Sequence, residues 1–461
     1  MSKKAILSFE SIKRNTSSYV KKLDITIKSS IAGIPGSTRR LSIAGMVAVA
    51  GILSLASCGG NSTNENTGIK TIDITAALEN AGEVKLSDYA SDIKYHTIES
   101  DTSALLGRIA TLAMDDNHIF IPSSDKMKTL HVFDINGKFI RNVGTKGRAK
   151  GEFMAIRSII PLEDRNAVMV EGGNKAVIYS LDDGKVLDDI PFDKFLTGQE
   201  STSRQFNGRM VTSYSQHIHN ISYDGKGIFY LLTMDEKNGK QWLVATDSKL
   251  EKKWNMELRQ PVMKELKVKL PNGKLLKFPP AYYSGSLYLN DGECVFSHWL
   301  NDTAYIVKEN CITPRLVIDY GKFRKMENAG NEDDISAHIE YESKNLIFLS
   351  MRMPELFDKF ANKNGTGHMI YDKIKNRAIF LKPYEEATDS GHGYGCGAFF
   401  NDLDGGLPFW PLAIQDNSMF SFCDAGRFIE LSQKYNSPKM KEIALRITED
   451  SNPVLIEVLL K

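Results

Sequence analysis

The sequence predicts an all-β fold, a six-bladed β-propeller of four-stranded antiparallel blades with a C-terminal helix and a closing C-terminal strand. The first observation is the run Leu130–Phe153, in which two strand-like stretches flank Asn136-Gly137. Asn-Gly in this setting predicts a tight hairpin, because both central residues of a type I′ turn need φ > 0. The second observation is Asp183-Gly184, which repeats the turn signal 47 residues later, a spacing that suits one blade.

The third observation is the number of strand clusters along the chain. Many short strands with glycine-rich turns favour a sandwich, a barrel or a propeller, and a four-strand repeat favours the propeller. The clusters form six units, at 105–150, 155–195, 203–258, 278–320, 335–382 and 395–430.

The strands begin with Ile93–Ile98, where apolar and polar residues alternate as in a half-buried strand. The strand-like runs that follow are Leu105–Met114, His118–Pro122, Leu130–Val143, Val168–Val170, Val177–Leu181 and Val186–Ile190. Later turn signals are irregularly spaced, which indicates diverged repeats or insertions. These signals are Asp224-Gly225, Asn238-Gly239, Asn272-Gly273 and Asp291-Gly292.

Two stretches with helical patterns interrupt the strands. Pro354–Asn362 predicts a short helix, and Phe428–Thr448 predicts a longer one that Pro438 either starts or breaks. The final run, Pro453–Leu460, predicts a strand. Because this strand is far from its neighbours in sequence, it suits ring closure, and we expect it beside strands of the N-terminal blade.

The N-terminal region predicts export. Arg39-Arg40 precede the apolar run Leu41–Leu55, and a basic flank, a short apolar core and small residues are typical of a secretory signal. Leu55-Ala56-Ser57-Cys58 resembles the bacterial lipobox, which implies cleavage before Cys58 and a lipid on its thiol. The alternatives are an ordinary signal peptide and a transmembrane anchor. Residues 1–38 form a long lead, which indicates either a true start further along the chain or a functional leader.

These features divide the chain into a leader and lipoprotein signal peptide at 1–57, a flexible tether at 58–70 and a propeller domain at 71–461. The residues after Cys58 are small and polar, as in a flexible linker. We expect a lipoprotein of the cell envelope, held at the outer membrane by its lipid alone. The sequence leaves open whether the protein faces the periplasm or the cell surface.

Charge and motifs narrow the functional classes. The formal net charge is +1, so the chain has no basic field for nucleic acid. It has no P-loop, Rossmann fingerprint, G-x-S-x-G or H-E-x-x-H motif, and we expect no cofactor. Cys294–Cys311 and Cys396–Cys423 are the local disulfide candidates, and buried thiols remain equally open.

Three segments resemble known families. Leu130–Phe153 resembles the repeat of NHL-type propellers, which has an FD-x-N-G-K-F hairpin followed by a glycine-rich loop. Together with the lipobox, Asn401–Pro411 and Ser451–Val458 resemble the six-bladed β-propeller lipoproteins of Bacteroidota. The resemblance covers essentially all of the mature chain. It implies a propeller fold and an envelope location, and it carries over no catalytic residues.

Two pairs of side chains are candidates for ligand contact. His217 and His219 fall on one face of a strand, because side chains repeat every two residues, and such a pair can hold Zn²⁺ with a third ligand. The sequence marks no third ligand, so we expect polar residues facing solvent or the channel and no metal. His392 and Tyr394 lie in a glycine-dense loop beside Cys396, which suits ligand contact better than nucleophilic catalysis. The glycines also allow a tight loop near the ring axis that has no chemical role.

Aromatic residues near carboxylates supply the remaining candidates. Trp299 follows a strand and is expected to reach a propeller face. Asp402, Asp404 and Trp410 combine carboxylates with an aromatic ring, as sugar sites do, and the two aspartates alone are too few for a Ca²⁺ cage. The structural alternative, in which this segment forms a turn and packs between blades, is the favoured interpretation.

The expected function is binding. A propeller gathers loops from every blade around one axis, so a pocket can form without any single motif. We therefore expect a binding or scaffold module for a glycan, a peptide or a protein partner rather than an enzyme. The alternatives are a polysaccharide lyase or hydrolase with its site in the central funnel, and a structural accessory of an outer-membrane nutrient-uptake complex.

Overall fold

The computed structural model describes most of the chain beyond residue 68. The described residues are 69–100, 102–107, 109, 111–123, 128–192, 201–206, 209–214, 216–235, 240–258, 266–269, 275–278, 285–298, 301–323, 335–352, 366–386, 388–389 and 393–461. Gly68–Lys461 form one compact unit. No helix in these ranges is both long and apolar enough to cross a membrane. The predicted leader, the signal peptide and Cys58 lie outside the described residues.

The described chain enters through a segment that we call the strap, residues 70–97. Its elements are strand β1 (Lys70–Asp73), helix α1 (Ile74–Glu79), a 3₁₀ turn (Leu86–Asp88) and strand β2 (Ala90–Thr97). The carboxylate of Asp73 caps α1 by accepting a hydrogen bond from the backbone N–H of Ala76 at 2.9 Å.

Blades 1 to 3 follow the strap as four-stranded antiparallel sheets. Blade 1 is β3 (Ala113–Met114), β4 (His118–Pro122), β5 (Leu130–Asp134) and β6 (Phe139–Val143). Blade 2 is β7 (Ser158–Leu162), a 3₁₀ turn (Glu163–Arg165), β8 (Ala167–Glu171), β9 (Lys175–Ser180) and β10 (Val186–Pro191). A hairpin, β11 (Ser201–Phe206) and β12 (Arg209–Tyr214), precedes blade 3, which is β13 (Gln216–Tyr223), β14 (Phe229–Asp235), β15 (Lys240–Thr246) and β16 (Lys252–Leu258).

Blades 4 to 6 complete the ring. A second hairpin, β17 (Leu266–Lys269) and β18 (Leu275–Phe278), precedes blade 4, which is β19 (Gly285–Asn290), β20 (Glu293–His298), β21 (Thr303–Lys308) and β22 (Cys311–Asp319), followed by a 3₁₀ turn (Gly321–Phe323). Blade 5 is β23 (Ser336–Glu342), β24 (Leu346–Arg352), β25 (Thr366–Asp372) and β26 (Arg377–Phe380). A short pair of strands, β27 (Thr388–Asp389) and β28 (Gly393–Tyr394), precedes blade 6. The four strands of blade 6 are β29 (Ala413–Gln415), β30 (Ser418–Cys423), β31 (Val454–Leu460) and β2. Helices α2 (Ala425–Lys434) and α3 (Pro438–Ala444) connect β30 to β31.

The ring closes through the C-terminal strand, which confirms the prediction of a six-bladed propeller. Strand β31 lies between β30 and the N-terminal strand β2, in antiparallel register from Ala90 opposite Leu460 to Thr97 opposite Val454. The strap also adds β1 as a parallel fifth strand to blade 4, beside β22. One segment of chain therefore contacts blades 4 and 6 and resists opening of the ring.

The core lies between the blades. All residues of β8 and β9 are buried, because these central strands are covered by a neighbouring blade on each side. The outer strand β10 is mostly exposed and carries both aspartates of Val186–Pro191. This difference explains why central strands are continuous apolar runs while rim strands carry charge.

The hairpin at Asn136-Gly137 forms as predicted, but its turn is not type I′. Gly137 has a φ of 87°, whereas Asn136 is not among the residues with positive φ. The N–H of Gly137 donates to the carbonyl of Asp134 at 2.9 Å, and the Asp134 carboxylate accepts from the N–H of Asn136 at 2.9 Å. The aspartate therefore organises this turn. Asp224 and Asp247 act in the same way in the turns of blade 3.

Other predicted elements differ in extent. In the described part of Leu105–Met114 the strand is confined to Ala113–Met114, and the described residues before it belong to the connection from the strap. Phe428–Thr448 is two helices rather than one, since Ser437 caps α3 with Pro438 at its first turn. Pro354–Asn362, the other predicted helix, lies outside the described residues.

The ring has two unlike faces. The first strands of neighbouring blades contact one another and line the ring axis, so the fourth strands form the rim. Because neighbouring strands run in opposite directions, the second-to-third and blade-to-blade connections share one face, which we call the loop face. The remaining connections share the other, the turn face. Turn-face connections have two to five residues, whereas both inserted hairpins, the pair β27–β28 and helices α2 and α3 belong to the loop face.

Candidate functional site

Four ionisable residues hold equivalent positions around the loop-face end of the ring axis. In blades 2 to 5 the second strand ends on this face in a residue that we call a mouth residue: Glu171, Asp235, His298 and Arg352. Each is in register with the first residue of the innermost strand of its blade, and that residue is small or polar. The opposing residues are Ser158, Gln216, Gly285 and Ser336.

The mouth residues differ in burial. Glu171, Asp235 and His298 are buried, with 2%, 8% and 7% of their surface exposed, whereas Arg352 is exposed. Polar and ionisable groups are rarely buried so far unless they have partners or a function. The blades therefore hold three of the four groups in place at the loop-face ends of their second strands.

Glu171 has the most perturbed carboxyl among the mouth residues. Burial raises its pKa to about 7, although the N–H of Gly173 and the charge of Arg157 act in the opposite direction. The Gly173 N–H donates to Oε1 at 2.7 Å, and Arg157 is exposed just before β7. Near neutral pH such a carboxyl is present in both protonation states, so it can donate or accept a hydrogen bond or transfer a proton.

A small cleft lies beside His298, between blades 4 and 5. Its wall includes Asn301, Asp302, Thr303 and His338, and its volume is about 10 Å³. The amide of Asn301 donates to the hydroxyl of Tyr305 at 3.1 Å, which holds this connection against blade 4. A space of this size admits at most one water molecule. A larger ligand would therefore contact His298 only at the rim of the cleft.

Sequence reasoning missed the mouth residues, although a signal was present. Each is an ionisable residue at the end of a mostly apolar strand, as in the runs AVMVE, FYLLTMD, ECVFSH and LIFLSMR. Comparing the ends of equivalent strands between blades would have found them. The mixture of acidic and basic types hides the repeat when each strand is considered alone.

Several predicted site residues lie outside the described part of the chain. Trp299 and His392 are in undescribed connections, and the side chains of His217 and Tyr394 are not described. His219 is half-buried on β13, at an irregularity in pairing between Ile218 and Asn220. Strict alternation is interrupted there. Because the side chain of His217 is not described, the shared face of His217 and His219 stays a prediction.

The aspartates of Asn401–Pro411 are hydrogen-bonded within the fold. Asp402 accepts from the N–H and the hydroxyl of Ser87 at 2.9 and 2.6 Å. Burial would raise the pKa of Asp402, but these hydrogen bonds outweigh it and hold the pKa below its ordinary value. Asp404 accepts from the amide of Asn401 at 2.7 Å, from Tyr95 at 3.3 Å and from the hydroxyl of Ser437. These contacts favour the structural interpretation of the segment.

Trp410 packs between blades 5 and 6. It is 2% exposed, and the ring of His368 stacks on it with centroids 4.0 Å apart and planes inclined by 10°. Its indole N–H donates to Glu340 at 3.2 Å, and Phe348 contacts it edge to face. In this structure the indole ring has no exposed face for a sugar.

The Asn401–Pro411 segment also lies across the propeller from His219 in blade 3, because the six blades follow one another in chain order.

No metal centre is evident in the described ranges, where no three His, Cys, Asp or Glu side chains are grouped to hold an ion. Cys294, Cys311, Cys396 and Cys423 form no disulfide. Burial raises the pKa of the Cys294 and Cys423 thiols to about 12, so they are not reactive thiolates at neutral pH.

Comparisons with known proteins add a family and a fold. The profile of a family described as a domain of unknown function, DUF4934, matches residues 69–458. A crystal structure from Bacteroides fragilis, described as that of an exported protein, has a TM-score of 0.54 at 16% identity and covers 85% of this chain and 99% of its own. Hsv2 of Kluyveromyces lactis has a TM-score of 0.27 at 12% identity, covering 59% and 84%. No curated protein matches the chain.

Proposed function

We propose that this chain, which belongs to the DUF4934 family, is a lipid-anchored protein of the cell envelope that binds a glycan, a peptide or a protein partner at its loop face. The contrast between the two faces carries the proposal. Every insertion in the ring belongs to the loop face, while the turn face keeps connections of two to five residues. Function in scaffold folds resides on such elaborated loops.

The mouth residues support binding at the centre of this face. They supply acidic, imidazole and guanidinium groups within one ring, and the opposing positions Ser158, Gly285 and Ser336 are small. Polar ligands are recognised by a few fixed polar groups in a concave site. The lipobox-like sequence ending in Cys58 supports the lipid anchor and an outer-membrane location.

An enzymatic role is the second candidate, and Glu171 favours it. A carboxyl whose burial raises its pKa to about 7 has the property required of the general acid in glycoside hydrolysis. Asp235, at the equivalent position of the next blade, would be the second carboxylate.

The accessory role in nutrient uptake predicts a broad apolar patch. Four exposed large apolar residues of the described chain belong to blades 1 and 2 and the connection between them, namely Ile140, Met154, Val186 and Leu187, whereas Ile374 and Leu445 lie on blades 5 and 6.

A binding screen tests the proposal. The chain from Gly59 contains the compact unit without the lipid, and polysaccharides and peptides would be added in a thermal-shift assay. A true ligand raises the melting temperature in a dose-dependent manner, because it binds only the folded state. We expect at least one polysaccharide or peptide class to do so.

Matched variants then place the ligand on the ring. Arg352→Ala removes an exposed loop-face side chain, and Lys138→Ala removes an exposed turn-face side chain. We expect the first to weaken binding by about tenfold and the second to leave it unchanged, because charge-assisted contacts contribute about 1.5 kcal/mol. Equal effects of both variants would contradict a loop-face site. For the enzymatic candidate, Glu171→Gln should abolish release of new sugar ends while retaining binding.

A further inference from the structure

The turn face carries a cavity between blades 5 and 6 that is separate from the loop face. Its volume is about 130 Å³. It is formed by the turns at 343–345, 373–376 and 416–417, the end of β31 and the 3₁₀ turn of the strap. All turn-face connections belong to the described residues, so this lining is known in full. An engineered cavity of about 150 Å³ holds one benzene ring, so this one suits a group of that size.

Apolar side chains form the inner wall and the lip of the cavity. Leu346 and Leu460 are buried in the wall, and Tyr89 is half-buried beside them. Ile374 stands at the tip of the turn between β25 and β26 with 73% of its surface exposed. When a ligand covers a large aliphatic side chain at the lip of such a cavity, apolar surface is removed from water, and this stabilises the complex.

Amines surround the same opening. Lys344, Lys375 and Lys461 all line the cavity. Lys344 is exposed, and its amine makes no hydrogen bond or ion pair with any described residue. The amine of Lys375 is 5.0 Å from the centroid of the Tyr89 ring, and the amine of Lys461 donates to the carbonyl of Ser87 at 2.5 Å.

The carboxylates at the cavity neutralise only part of this charge. Asp372 pairs with the amine of Lys375 at 3.5 Å. It also accepts from the N–H of Ile374 at 3.0 Å and of Lys375 at 2.8 Å, and it interacts with the hydroxyl of Tyr89. Arg377 also interacts with Tyr89 and adds a further positive charge. Asp88 is the other carboxylate of the lining and is exposed. Apart from the Lys375–Asp372 pair, the positively charged side chains at and beside the cavity are Lys344, Lys461 and Arg377, and the negatively charged one in its lining is Asp88.

We propose that this cavity binds a small monoanion, a carboxylate whose apolar body is about the size of one six-membered ring. The apolar part fills the space between Leu346, Tyr89 and Leu460, and Ile374 covers it. The carboxylate remains at the opening, where Lys344 donates to it. The site is independent of the loop-face function, because it lies on the opposite face of the ring.

Benzoate is the probe, with benzyl alcohol and benzylamine as ligands of equal size and different charge. A titration of the chain from Gly59, followed by ligand-observed NMR, should show benzoate binding about tenfold more tightly than benzyl alcohol, with benzylamine weakest. Equal affinities for the three ligands, or no benzoate binding at millimolar concentration, would overturn the proposal.

Two variants locate the probe. Lys344→Met and Ile374→Ser alter exposed side chains, so neither should disturb folding, and each should weaken benzoate binding by about three- to fivefold. Lys138→Met is the control, an exposed turn-face lysine between β5 and β6 of blade 1, and it should bind benzoate as the parent does. If Lys344→Met and Ile374→Ser also bind as the parent does, benzoate does not occupy this cavity.

Discussion

The carboxylate of Asp404 connects three parts of the ring, and its removal tests whether Asn401–Pro411 is structural. Asp404 accepts hydrogen bonds from Asn401 at 2.7 Å, from the N–H of Gly406 at 3.0 Å and from Tyr95 at 3.3 Å, as well as from the hydroxyl of Ser437. Tyr95 belongs to the closing strand β2, and Ser437 caps α3. Asp404→Ala would leave all four donors without this acceptor.

The magnitude follows from burial. Asn401 and Ser437 are 1% and 0% exposed, so water does not replace the carboxylate at either group. An unsatisfied buried donor costs about 1–3 kcal/mol, so two such groups lower the free energy of unfolding by about 2–6 kcal/mol. Asp402→Ala is the control, since Asp402 accepts from Ser87 near the surface, and it should cost about 1 kcal/mol.

Urea denaturation of the chain from Gly59 measures this difference as a shift in midpoint at constant slope. An Asp404→Ala variant within about 1 kcal/mol of the parent would refute the structural reasoning. An unchanged stability of Asp404→Ala, together with a loss of glycan binding, would support the alternative in which Asp402 and Asp404 contact a sugar.

Three further predictions concern other parts of the ring. Burial raises the pKa of Glu171 from 4.5 to about 7, so between these pH values the folded protein binds a proton that the unfolded chain has lost. The free energy of unfolding therefore falls as pH rises from 4.5 to about 7. In denaturation curves recorded from pH 4 to 8, Glu171→Gln should remove about 2–3 kcal/mol of this decline. Gly144 has a φ of 67°, and a Cβ there would lie 2.5 Å from Phe153, so Gly144→Ala should lower the free energy of unfolding by about 3 kcal/mol. Gly225 has a φ of 71°, but no atom lies within 4 Å of a Cβ built there, so Gly225→Ala should lower it by about 1 kcal/mol. Trp410→Ala should lower stability by about 3–5 kcal/mol and Trp410→Phe by less, and a negligible change in melting temperature for Trp410→Ala would contradict its packing role.

The blades could be predicted because their signals are local. Central strands such as Val168–Val170 and Val177–Leu181 are apolar on both sides, and their hairpins carry Asp and Gly where the backbone needs them. The closing strand Val454–Leu460 was predictable because an isolated terminal strand in a repeat protein needs a partner sheet. The type of turn at Asn136-Gly137 could not be predicted in the same way, because the Asp134 side chain, rather than the Asn-Gly pair, organises the backbone there.

The site could be predicted only in part, because its determinants are distant in sequence. The role of Asp404 depends on Tyr95, which lies more than 300 residues earlier in the chain. The burial of Trp410 depends on His368 and Phe348 in blade 5. Neither contact leaves a mark in the segment itself. Carboxylates beside aromatic residues are therefore ambiguous between a sugar site and a packed junction until the neighbouring elements are placed.

The mouth residues show how one ring can separate stability from recognition. The end of a second strand is covered by neighbouring blades on its sides but opens to the loop face at its tip, so an ionisable group there is held rigidly without full loss of solvent. The apolar residues before it, as in Ala167–Val170 or Leu346–Met351, provide the packing. Exchange of Glu171, Asp235, His298 or Arg352 should therefore alter ligand selectivity more than it alters the fold, whereas exchange of Asp404 or Trp410 should do the reverse.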